Sequence, residues 1–88
     1  MKKLVNVTEV EGEGLVGLLG ENVMLFCLNY IYAGKLVGVN KEDVLLESAS
    51  IVYETGPLKD EKFQEAQELP FPFYVRIACI ESYGKSGR

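Results

Sequence analysis

Two thiols, Cys27 and Cys79, are the residues with the most distinctive side-chain chemistry in this chain. With no secretory signal and no second pair they do not form a disulfide framework, and they read as buried free cysteines. The 88 residues contain no histidine. Catalysis by a serine, histidine and aspartate triad is therefore excluded, and two cysteines alone do not make the usual four-ligand zinc site. No glycine-rich phosphate loop is present. The chain reads as non-catalytic, with no cofactor implied. One further charge is conspicuous. Arg76 lies within an apolar segment, where an unpaired guanidinium is costly and calls for a carboxylate partner such as Glu47 or Glu81, or a solvent-filled channel.

The elements that must position these residues are strands. Nine glycines, five tyrosines and four phenylalanines in so short a chain favour turns and sheet over a helix bundle. Residues 1–14 are polar and glycine-punctuated, and read as a flexible segment. Leu15, Val16, Leu18 and Leu19 fit one or two helical turns, stopped at Gly20. Residues 21–28 are almost wholly apolar, as in a strand covered on both faces. Asn29 and Tyr30 supply a turn. The strand over 31–40 contains Gly34 and Gly38, which mark sharp bends or close backbone approach.

A polar turn at 40–43 leads to a third strand over 44–54, completing a meander. Residues 56–70 form an insertion in which Phe63, Ala66 and Leu69, at spacings of three, predict a short surface helix. Its segment 59–68, acidic and displaying Phe63, is a candidate docking surface for another protein; a solvated face is the alternative. Pro70 and Pro72 stand where a last apolar stretch begins. Residues 71–78 and 79–83 read as two short strands joined by a very tight bend, with one long strand as the alternative, and 84–88 as a frayed tail. The whole is one domain over 1–88, with a core small enough to gain from a partner subunit.

Charge and hydropathy bound the function. Nine basic residues against thirteen acidic give a net charge of -4. That balance counts against binding through phosphate neutralisation, although acidic residues gathered at 9–13 and 60–68 leave room for a local site. The longest apolar run is far below the roughly 20 residues needed to span a bilayer. The expectation is a soluble, cytoplasmic protein with no membrane partner.

The order of a short amino-terminal helix, strongly bent strands and a variable loop before the last two strands resembles the Sm and LSm family, which includes bacterial Hfq. The likeness reaches residues. Leu15 to Val23 looks like the family's helix-to-first-strand passage, and Leu28 to Leu36 like its first motif, with the bend glycine at Gly34. Asp43 to Ala49 is similar to the third-strand signature. Asn40 falls at a usually acidic position and Asp43 at the motif's asparagine. Val75 to Ser82 resembles the closing motif in its apolar frame, without its polar and basic members. The chain looks most similar to uncharacterised Sm-like proteins of cyanophage and marine origin.

That resemblance implies a mostly β fold: a five-stranded, strongly bent antiparallel barrel with a short amino-terminal helix and an inserted loop or short helix before the last two strands. It implies a homo-oligomeric ring, five subunits favoured and six or seven open. The seam is formed by Phe73, Tyr74, Val75, Ile77, Ile80, Ser82 and Tyr83. It also places a single-stranded RNA contact at Asn29, Tyr30, Asp43 and Arg76, with Tyr30 stacking a base. If the chain is phage-encoded, its compartment is the host cytoplasm. Two alternatives stay open: Tyr30 and Tyr32 simply pack in a hairpin, and the ring is a protein scaffold that has lost RNA binding.

Overall fold

A computed structural model describes residues 12–87. Most of the amino-terminal segment read as flexible thus lies outside the described residues. One helical turn, α1 (Gly14–Gly17), precedes six strands: β1 (Asn22–Cys27), β2 (Ile31–Val39), β3 (Asp43–Glu54), β4 (Glu65–Glu68), β5 (Phe73–Arg76) and β6 (Ile80–Lys85). A 3-10 turn, Ile77–Cys79, joins the last two. α1 stops after a single turn, and the chain leaves through Gly20 at φ 88°. There the Gly20 amide donates to the Leu36 carbonyl at 2.7 Å and the Leu36 amide to the Glu21 carbonyl at 2.9 Å, pinning the helix exit to β2.

All pairings are antiparallel, in the order β4-β3-β2-β1-β6, with β5 also on β3. The near-continuous apolar run of β1 has a direct cause. Val23 and Leu25 point into the main cluster with Leu36, Val44, Leu46, Ala49 and Val75. Met24 points the other way, into a second cluster with Ala33 and Val52. Both faces of β1 are therefore covered, and each fully buried leucine or valine contributes about 1.5–3 kcal/mol.

β2 and β3 bend together through two compensating bulges. Between Ala33 and Lys35, β3 carries one extra residue; between Leu36 and Gly38, β2 does. Ser48 takes up the first with a left-handed φ of 50°. Opposite it, a Cβ on Gly34 would meet the Glu47 carbonyl oxygen at 3.0 Å and the Ala49 Cα at 3.1 Å. Only glycine lets the backbones approach so closely.

The sheet differs from the expected barrel in two respects. It has six strands, and it is not closed: among the described residues β6 is bonded only to β1, while β4 and β5 are bonded only to β3. The sixth strand arises because the far side of β3 holds two short pieces, β4 opposite Ser50–Glu54 and β5 opposite Asp43–Leu46. Pro70 and Pro72 lie between them and have no N–H for the ladder; Leu69 still donates to Ala49 at 2.8 Å.

The surface helix expected in the insertion is absent. Residues 65–68 form β4, because three apolar residues at helical spacing are a weak signal beside an open β3 edge with unpaired backbone groups. The tail also differs from expectation. Gly84 and Lys85 belong to β6, and the Ser86 amide donates to the Asn22 carbonyl at 2.7 Å, so pairing with β1 reaches further than the apolar residues do. The very tight bend before the last strand is present as the 3-10 turn.

Candidate functional site

Two clefts contain the four residues proposed for RNA contact, and they share Arg76. The first, about 340 Å3, lies between the β1–β2 turn and β5; it is lined by Asn29, Tyr30, Tyr32, Phe73, Tyr74 and Arg76, among others. The turn is closed by the Cys27 amide donating to the Tyr30 carbonyl at 3.0 Å. Tyr30 meets Tyr32 edge-on with centroids 6.3 Å apart, and Tyr32 stacks on Phe73 at 5.6 Å. Such ring pairs contribute about 0.5–1.5 kcal/mol beyond burial. β5 is paired with β3, yet its Phe73 reaches Tyr32 of β2, so the bend brings the two strands face to face. Leu28, Tyr30 and Tyr74 remain 72%, 49% and 60% exposed, leaving apolar surface for a ligand.

The second cleft, about 480 Å3, joins the β2–β3 turn to the β5–β6 turn and is lined by Lys41, Glu42, Asp43, Arg76, Ile77 and Ala78. Asp43 and Arg76 are register partners. Asn40 holds the turn twice: its amide donates to the Asp43 carbonyl at 2.8 Å, and its Nδ2 donates to Asp43 Oδ1 at 2.8 Å. The Ile77 amide donates to the Glu42 carbonyl at 2.9 Å, stitching the two turns together. Asp43 thus faces one space, Asn29 and Tyr30 face the other, and Arg76 lines both.

Arg76 needs neither of the carboxylate partners expected for it. It is exposed at the end of β5, and among the described residues no ion pair joins it to Glu47 or Glu81. Lys85 and Glu21, by contrast, form an ion pair at 3.2 Å.

The residues expected at a ring seam divide by burial. Val75 is 4% exposed and belongs to the main core, while Phe73, Ile77 and Ile80 pack against that core from its margin. Tyr74, Ser82 and Tyr83 are exposed. In the insertion, Phe63 is not displayed: it packs against Met24, Ala33 and Val52, where it covers otherwise bare apolar surface. The exposed apolar residues flanking that segment are Leu58 and Phe71.

The cysteines are not both buried. Cys27 is half-buried, Cys79 is exposed on the 3-10 turn, and both line the first cleft. Burial pushes the Cys27 thiol above its ordinary pKa, aided by Cys79 and Glu81 nearby. Burial, with Cys27, Tyr30 and Cys79 beside it, raises the Tyr32 phenol likewise. Sequence reasoning did not select Lys41, Glu42 or Ala78, whose place in the second cleft depends on a register that no local pattern reveals. Among the described residues no group of three or more cysteine, aspartate or glutamate side chains is arranged to hold a metal ion. No described helix is long and apolar enough to cross a membrane.

No family model matches the chain, and no curated protein matches it significantly.

Proposed function

We propose that the chain is a non-catalytic, Sm-like ring-forming module whose assembled face contacts single-stranded RNA. The carrying observation is the pair of edges, unpaired among the described residues, at the ends of one bent sheet, β6 on one side and β5 with β4 on the other. Unpaired edges are templates for pairing with another chain, and a heterologous contact of one edge with the other generates a ring when the rotation closes. Exposed Tyr74, Ser82 and Tyr83 lie on these strands. β4 is less suited to the seam, since Glu65 and Glu68 charge it. The order of helix, three-stranded meander with bent β2 and β3, interrupted fourth strand, 3-10 turn and last strand supports the Sm-like assignment.

In this reading Tyr30 offers a stacking face, and Arg76 a cation between the two clefts. Stacking of a base on an aromatic contributes about 1–3 kcal/mol. A protein scaffold is the second reading, favoured by the net charge of -4 and by Glu42 and Asp43 beside Arg76. Native mass spectrometry of protein purified without nuclease treatment separates these. A ring of about five to seven subunits carrying nucleotide mass, lost in Tyr30→Ala, is the expected result. An empty ring favours the scaffold, and a monomer at all concentrations overturns ring assembly.

A further inference from the structure

We propose that Cys27 and Cys79 form a reversible dithiol site, which small disulfides such as glutathione disulfide oxidise to an intramolecular bridge tying the 3-10 turn to β1. Cys27 is the last residue of β1 and pairs with Ile80, the first residue of β6; Cys79 immediately precedes that partner. Paired Cα atoms lie about 4.5–5.5 Å apart in antiparallel strands. A further step of about 3.8 Å along the chain, out of the 3-10 turn, keeps the two cysteine Cα atoms within about 9 Å of each other, a range that includes bridging distance. Disulfides span about 4.4–6.8 Å between Cα atoms. The register slips by one residue between Phe26 and Cys27, so the pairing loosens where the bridge would form. Both cysteines face the same cleft, and each raises the cost of charging nearby groups, as Tyr32 registers for both.

The chemistry divides by exposure. Cys79, exposed, meets the oxidant first: its thiolate attacks one sulfur of glutathione disulfide, breaking that S–S bond and releasing one glutathione thiolate. Cys27, deprotonated in turn, attacks the Cys79 sulfur of the mixed disulfide and expels the second glutathione. Two protein thiols lose two electrons, and the oxidant's disulfide is reduced to two thiols. Because the raised Cys27 thiol is mostly protonated near neutrality, the second step speeds up as pH rises.

The test treats the full-length protein with glutathione disulfide, quenches it with an alkylating agent and reads intact mass and free-thiol count. The expected product loses both thiols together, weighs two hydrogens less than the starting chain, carries no glutathione and is restored by dithiothreitol. Cys27→Ser is expected to stop at a stable glutathione adduct on Cys79. A lasting adduct on the wild-type chain, bridges between chains, or two thiols that stay free each overturn the proposal. Circular dichroism of Cys27→Ser confirms that it is folded, so that a failed reaction reports on the dithiol.

Discussion

The bend of β2 and β3 and the outer edges of the sheet are built from the same antiparallel pairing but differ in what surrounds them. At the bend, Leu36, Leu46 and Ala49 are 0% exposed, and backbone lies against Gly34 on the facing strand. At the edges, β4 is exposed along its whole length, β5 buries only Val75, and a Cβ on Gly84 would meet nothing within 4 Å. Cohesion is concentrated in the bend, whereas the edges contribute little to it and keep backbone hydrogen-bonding groups open. A chain this small has few core residues to spare, so edges left this bare fit a surface that acts by pairing with something else.

The contrast can be broken most forcefully at Leu36. Leu36→Ala is expected to cost about 2–5 kcal/mol, a large share of the stability of a small domain. Tyr74→Ala, on an exposed β5 position, is expected to stay within about 0.5 kcal/mol. Urea unfolding at a protein concentration low enough to keep the chain monomeric measures both, since assembly through the β5 edge would otherwise mix into the values. Comparable losses would mean that β5 is part of the structural core and not an open edge.

A matched pair of glycines sharpens the same point with a smaller effect. Gly34→Ala forces a Cβ against the Glu47 carbonyl and the Ala49 Cα, neither of which moves without bending β3. Overpacking of this kind costs about 1–3 kcal/mol. Gly84→Ala, with open space around it, is expected to be neutral or stabilising by up to about 1 kcal/mol through the unfolded chain. Thermal unfolding of the two variants should therefore move in opposite directions or leave only Gly34→Ala destabilised; equal losses would remove the bend's special status.

The same division explains what could be read from the sequence. The β1–β3 meander, the bend at Gly34 and the tight turn before β6 follow from local signals: a continuous apolar run, an interior glycine, and apolar residues resuming after two prolines. β4 was not legible. Glu65, Ala66, Gln67 and Glu68 carry no strand pattern and take their form from the free edge of β3. The clefts were half legible. Tyr30 and Arg76 stand out by type, but Lys41, Glu42 and Ala78 gain their place from the Asp43–Arg76 register, and Phe63 turned inward because a second cluster needed covering. Long-range register, not composition, decides such positions.

The smallest expected effect lies where the two regions meet, in the cleft that holds Cys27 and Tyr32. Both groups have folded-state pKa values above their ordinary 9.0 and 10.0, the first by burial and then Cys79 and Glu81, the second by burial and then Cys27. The folded chain therefore holds its protons to higher pH than the unfolded chain. The stabilisation from keeping these groups neutral is fully present below the unfolded values and is lost as pH rises through the folded ones. Reduced protein should show a melting temperature that declines in two stages, the first above pH 9.0 and the second above pH 10.0. Cys27→Ala should remove the first stage and soften the second, because the Cys27 thiolate no longer opposes ionisation of Tyr32. A first stage that survives this substitution would assign the alkaline loss to other groups and detach the cleft from the stability of the bend.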